Sequence, residues 1–141
     1  RFAEKWGRPR EPYARRRDPG YEHLRLALRQ RVEATVPVGA TVLVVTRGDD
    51  RLLELGDRIG WHFPQDASGL FAGHYPANSA AAIAHLEELR GRGGRFLVLP
   101  RTGYWWLEHY RELREHLERN YRALGRPDDS CLIYVLEAGG A

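Results

Sequence analysis

Residues 61–76 gather four aromatics (Trp61, Phe63, Phe71, Tyr75), two histidines (His62, His74), two prolines and a Gln65-Asp66 pair, with neither helical nor clean strand periodicity. Structural elements rarely need that mixture, whereas loops that contact something often do. Two other short segments carry polar chemistry. Arg47-Gly48-Asp49-Asp50 and Arg101-Thr102-Gly103-Tyr104-Trp105 each follow a continuously apolar run. In open α/β sheets ligands sit beyond the carboxyl ends of the parallel strands. With both runs as such strands, Asp49, His62, Gln65, His74, Arg101, Thr102 and Trp105 are expected around one polar pocket with an aromatic wall. A sugar presents an apolar C–H face and a rim of hydroxyls, so such a pocket suits a sugar or a nucleotide. The alternative is that Trp61, Phe63, Phe71 and Tyr75 simply fold the long loop onto the sheet.

Other chemistries find little support. No Gly-x-Ser-x-Gly elbow surrounds Ser68, Ser79 or Ser130. Cys131 opens an apolar run, where a small hydrophobe-like side chain is commonplace. The segment after the first apolar run has one glycine and lacks the dinucleotide fingerprint. Gly91-Arg92-Gly93-Gly94 precedes a strand-like run, so it reads as a helix stop and not a phosphate cradle. Trp105, His109, Glu112 and His116 share one helical stripe, but the two histidines stand two turns apart, roughly 10 Å. A solvated face explains them better than a metal site, and His85 reads as a surface residue. No catalytic residue, metal or cofactor is expected.

These segments need a scaffold. Leu24, Leu28, Val32 and Val36 recur every four residues and predict an amphipathic helix to about Thr35, started by Asp18-Pro19 and stopped by Pro37 and Gly39. Val42–Val45 and Phe96–Leu99 are apolar throughout, as expected of strands covered on both faces. Between them, Arg51–Leu55 reads as a short strand or helical turn, and Trp61–Pro64 as a further short strand. Asn78 or Ser79 caps a helix to Arg90. A long helix is predicted from Tyr104 to about Arg119, with Trp106, Tyr110, Leu113 and Leu117 as its inner stripe. Tyr121–Leu124 and Cys131–Leu136 then form an antiparallel hairpin around residues 125–129. The fold class is therefore α/β: a small three-layer Rossmann-like domain, with parallel central strands in a mixed sheet and a C-terminal antiparallel hairpin.

The 141 residues suffice for one domain with one core, and 43% hydrophobic with 29% charged residues is ordinary for a globular protein. No apolar run approaches the roughly 20 residues of a membrane span. A single cysteine excludes an internal disulfide and fits a reducing compartment, most simply the cytoplasm. Residues 1–17 hold seven basic side chains against Glu4 and Glu11, so the net charge of +3 sits mainly in this Arg/Pro-rich stretch. Residues 1–19 read as a linker or tail of an upstream module, and 20–141 as a single domain. Such a tail either tethers the domain near an anionic surface or is a solvated linker. No nucleic-acid partner is expected for the domain itself.

The opening Phe2-Ala3-Glu4-Lys5-Trp6-Gly7 resembles the Phe-x-x-Lys-Trp ending of catalytic domains in family-2, GT-A-type bacterial glycosyltransferases. The stretch from about residue 20 to 137 is similar to an uncharacterised C-terminal accessory domain found beside such modules in actinobacterial and related proteins. Trp61-His62-Phe63-Pro64-Gln65, Gly73-His74-Tyr75-Pro76 and Trp105-Trp106-Leu107 carry that likeness. The resemblance implies a chain cut from a longer protein, with an upstream glycosyltransferase catalytic domain as partner. The transferase's catalytic aspartates and metal site then lie outside this chain, and no catalytic residue is carried over. The function expected is a non-catalytic accessory domain that binds glycan, acceptor or nucleotide-sugar. The alternatives are a small Rossmann-like transferase or hydrolase using the 47–50, 61–76 and 101–105 loops, and a docking or oligomerisation domain.

Overall fold

The computed structural model describes residues 19–124 and 130–137. Helix α1 (Pro19–Thr35) leads into strand β1 (Thr41–Val44), a 3₁₀ turn (Asp50–Leu53) and strand β2 (Ile59–His62). Helix α2 (Ser79–Gly91) precedes strand β3 (Gly94–Pro100) and a second 3₁₀ turn (Arg101–Gly103). Short helix α3 (Trp106–His109), helix α4 (Arg111–Asn120) and strands β4 (Arg122–Leu124) and β5 (Cys131–Val135) complete the order. Among the described residues five strands form one sheet in the order β2-β1-β3-β5-β4. β1 runs parallel to both β2 and β3, and β5 runs antiparallel to β3 and β4.

The expected α/β architecture is present, and its cause is legible in the strands. Val42, Val44 and Val98 face α1, where they pack with Leu28, Val32, Val36 and Ile133. Their neighbours Leu43, Val45, Leu97 and Leu99 face the opposite layer, against Leu86, Leu89, Trp106, Leu113 and Leu117. Alternation along a strand sends successive side chains to opposite faces, so a run buried on both sides must be apolar throughout. Burying each such Leu or Val contributes about 1.5–3 kcal/mol.

Of the two readings left open for Arg51–Leu55, the helical turn is the one present, as the 3₁₀ turn Asp50–Leu53, capped by Asp49, whose carboxylate accepts the Arg51 amide at 3.0 Å. Two details depart from the sequence reading. The short strand expected at Trp61–Pro64 begins earlier, at Ile59. The single helix expected from Tyr104 breaks at Tyr110, whose φ of −105° and ψ of 73° leave the helical region. No Gly or Pro marks that break. Tertiary contacts set it: the Tyr110 hydroxyl donates to the Pro76 carbonyl at 2.7 Å, and its ring meets Trp106 edge-on at 4.9 Å. The stripe Trp106, Tyr110, Leu113, Leu117 stays buried across it. Asp18, the linker apart from Pro19, and residues 125–129 of the hairpin turn lie outside the described residues.

The connections fix the site. From β1 the chain passes to β2 along the α1 face, where Leu52 and Leu55 join that core. From β3 it leaves by α3 and α4, which pack on the other face. The chain therefore departs from two adjacent parallel strands on opposite faces.

Candidate functional site

After β1 the chain turns through Thr46-Arg47-Gly48-Asp49. The Asp49 amide donates to the Thr46 carbonyl at 3.1 Å, and Arg47 and Gly48 have φ of 55° and 91°. Two consecutive positive φ values are those of a type I′ turn. Asp49 is occupied structurally. Its carboxylate accepts from the Tyr21 hydroxyl and, at 3.3 Å, from the Arg51 guanidinium, which also pairs with Glu22. Burial raises the Asp49 pKa, but the bonds from Tyr21 and Arg51 outweigh it and hold the carboxyl below its ordinary range. This network ties the first turns of α1 to the end of β1.

His62 is also occupied on both ring nitrogens. Nδ1 lies 2.6 Å from Thr46 Oγ1 and Nε2 lies 2.7 Å from Asp50 Oδ1. The Gly48 amide donates to Thr46 Oγ1 at 3.1 Å, which leaves the hydroxyl proton for Nδ1 and makes Nε2–H the donor to Asp50. A hydroxyl, an imidazole and a carboxylate in series are the parts of a nucleophile relay. Here their exposure is inverted: Thr46 is 2% exposed, while the Asp50 side chain is 87% exposed. A relay with its hydroxyl sealed inside activates nothing, and the arrangement acts as a clasp between β1 and β2.

The 61–76 loop folds onto this clasp. The Gln65 side-chain amide donates to the His62 carbonyl at 3.0 Å, and the Gln65 backbone amide donates to His85 Nε2 at 3.0 Å. His85 thus supports the loop and stacks on Phe63 at 5.4 Å. The Asp66 carboxylate accepts from the Ser68 hydroxyl and the Ser68 and Leu70 amides, closing a tight turn. That turn returns Phe71 over Gly48, where an added Cβ would lie 3.2 Å from the ring, and to 6.0 Å from His62. Phe63 is fully buried and Trp61 packs against the same core. Three of the four loop aromatics therefore serve packing.

The fourth does not. Tyr75 is 40% exposed and meets Trp105, 38% exposed, edge-to-face at 5.0 Å. Beneath them lie buried Trp106 and Tyr110, and His109 braces Trp105 at 5.8 Å. Trp106 Nε1 is buried without a hydrogen-bond partner among the described residues. His74 is exposed, with Nδ1 3.2 Å from the Tyr75 carbonyl. The result is an aromatic ledge on the α2–α4 face.

Arg101 belongs to the other face. Its amide donates to the Ser130 carbonyl at 2.9 Å, and it borders an open groove of about 470 Å³ against Leu24 and Ala27 of α1. Thr102 is half-buried in the 3₁₀ turn between groove and ledge. The structure thus brings His74 and Trp105 to the ledge, sets Asp49 and Arg101 beside α1, and buries His62 in the clasp with half-buried Gln65 against it. One pocket formed by all seven is not what the fold builds. No family, curated protein or solved structure matches the chain. Among the described residues no three His, Cys, Asp or Glu side chains group to hold a metal ion, and no helix is long and apolar enough to cross a membrane.

Sequence reasoning missed Thr46 and Asp50 as partners of His62, and Tyr75 as the exposed member of the loop. Tyr75 carried one usable signal: it sits between Gly73 and Pro76, outside the Trp61–Pro64 run that packs on the sheet.

Proposed function

We propose that this is a non-catalytic, cytoplasmic accessory domain of a bacterial glycosyltransferase that presents a carbohydrate-binding ledge to glycan or acceptor. The exposed Tyr75–Trp105 pair carries the proposal. Large aromatics left half in water on a rigid base, beside the polar groups of His74, His109 and Thr102, suit the C–H face and hydroxyl rim of a pyranose. The sealed Thr46 hydroxyl counts against the hydrolase alternative. One platform binds weakly, with Kd about millimolar to high micromolar, or roughly 4–6 kcal/mol. Titration of the chain by NMR against short glycans and nucleotide-sugars should move signals of residues 70–76 and 102–110. Trp105→Ala should abolish the shifts and leave the fold intact, whereas Trp106→Ala should destabilise the domain by about 3–5 kcal/mol. If no saccharide moves these signals, the binding proposal fails. Leu70, 65% exposed on the same loop, favours docking of another protein as the second reading.

A further inference from the structure

We infer that the groove between α1 and the outgoing end of β3 is a binding site for a small, non-aromatic phosphate monoester, held by His23 from one wall and Arg101 from the other. This inference is separate from the carbohydrate proposal, since the ledge lies on the other face of the sheet and none of its residues lines the groove.

The helix builds one wall. Gly20, His23, Leu24, Ala27, Gln30 and Arg31 line the groove, and their spacings of three, one, three, three and one turn a single flank of α1 towards it. From Gly20 to Arg31 that flank runs about 16 Å. The sheet sets the opposite wall. Pro100 pairs with Cys131, and the Arg101 amide donates to the Ser130 carbonyl at 2.9 Å, so the ladder holds Arg101 and Ser130 side by side at the groove. Tyr21 bonds to Asp49 just past β1, which puts the first turns of α1 at the carboxyl ends of the parallel strands. That end of an open α/β sheet is where ligands are received. The volume of about 470 Å³ lies within the range of small-molecule sites.

Charge names the ligand. The carboxylates of α1, Glu22 and Glu33, are both drawn away from the groove: Glu22 pairs with Arg25 and Arg51, and Glu33 with Arg29. At 100° per residue, Glu22, Arg25, Arg29 and Glu33 share the flank of α1 that turns away from the groove. The groove flank carries His23, Gln30 and Arg31 instead, and among the described residues no acidic side chain lines it. Arg31 has a partner of its own. His23 and Arg101 are exposed and make no side-chain hydrogen bond or ion pair with the described residues. A guanidinium fork, an imidazole and the Ser130 hydroxyl supply donors for the oxygens of a phosphate.

The floor limits the rest of the molecule. It is made by Leu24 and Ala27, and among the described residues no aromatic ring lines the groove. A nucleotide base therefore finds nothing to stack on. A short aliphatic body fits over the floor, with the Gln30 amide placed to bond a hydroxyl on it.

The test is titration of the full chain with glycerol 3-phosphate, read at the Ala27 and Ser130 backbone amides by NMR. A saturable shift at both is expected, with Kd about 1 mM and weakening as salt rises. Arg101→Gln and His23→Gln should each weaken binding by about fivefold or more. Neither should change the melting temperature, because neither side chain has a partner in the fold to lose. Glu33→Gln raises the net charge on the far flank and should leave Kd within about twofold. Inorganic phosphate, which leaves the floor bare, should bind more weakly than glycerol 3-phosphate, and uridine 5′-monophosphate no more tightly. Four results would each overturn the site: no saturable shift at Ala27 and Ser130, shifts that survive both groove substitutions, clear tightening in Glu33→Gln, or inorganic phosphate or the nucleotide binding as the preferred ligand.

Discussion

At the scale of single residues, the domain spends its most reactive-looking side chains on structure. His62 attracts attention in the sequence because it sits in an aromatic, polar loop. Its partners are invisible there, since Thr46 and Asp50 lie sixteen and twelve residues away. Only the parallel register, which sets His62 opposite Val44, carries the ring to the end of β1. The clasp makes a direct prediction. Thr46→Val keeps the shape but leaves Nδ1 buried without a partner, and should destabilise the domain by about 1–3 kcal/mol in chemical denaturation. A variant as stable as the parent would show that the bond to Nδ1 is dispensable. The neighbouring tryptophans teach a related lesson. Trp105 and Trp106 are indistinguishable by type, yet one is 38% exposed and the other fully buried, because the inner stripe of α3 and α4 selects only Trp106. The stripe was legible in the spacing. The exposed neighbour was legible only as the residue the stripe left over.

Between elements, the contact of α2 with α4 and the approach to β4 rests on a polar junction. Glu87 accepts from His116 Nε2 at 2.9 Å, the Tyr121 hydroxyl at 2.6 Å and Arg90 Nε at 2.8 Å. Burial raises the Glu87 pKa, but those three bonds outweigh it and hold the carboxyl below its ordinary 4.5. Burial and the bond to Glu87 push the Tyr121 phenol from 10.0 up to about 12. The signs follow from linkage. The depressed carboxyl stabilises the fold fully above pH 4.5, and that contribution is lost as pH falls through the lower folded value. The raised phenol stabilises it fully below pH 10.0, and that contribution is lost as pH climbs through about 12. Urea unfolding at stepped pH should show the acid-side loss reduced in Glu87→Gln and the alkaline-side loss reduced in Tyr121→Phe. Unchanged profiles in both would remove the junction from the account of stability. Sequence could not pair these residues, because His116 read as part of a solvated helix face and Glu87 lies on a different helix, 29 residues away. Only the side-by-side, parallel packing of α2 and α4 on one face of the sheet brings the faces together.

For the molecule as a whole, the two apolar runs were enough to set the centre of the sheet. Val42–Val45 and Phe96–Leu99 are adjacent and parallel because only strands covered on both sides need unbroken apolar sequence. Val44→Asp should accordingly abolish cooperative unfolding, since an unpaired buried carboxylate costs several kcal/mol, a large part of a domain's stability. A soluble Val44→Asp variant with a sharp melting transition would contradict that placement. The position of the closing hairpin was less legible. Its strands are contiguous in sequence, but β5 enters between β3 and β4, a choice governed by which face Cys131, Ile133 and Tyr134 can bury and not by local pattern. That insertion has a consequence for synthesis. During translation β1, β2 and β3 emerge well before β5, so one long edge of β3 stays bare until Cys131–Val135 clears the ribosome. A bare edge flanked by Leu97, Val98 and Leu99 invites pairing with another nascent chain. The order of the strands thus makes the last of them the guard of the first sheet to form, and a ribosome stalled before Cys131 leaves that sheet open to aggregation.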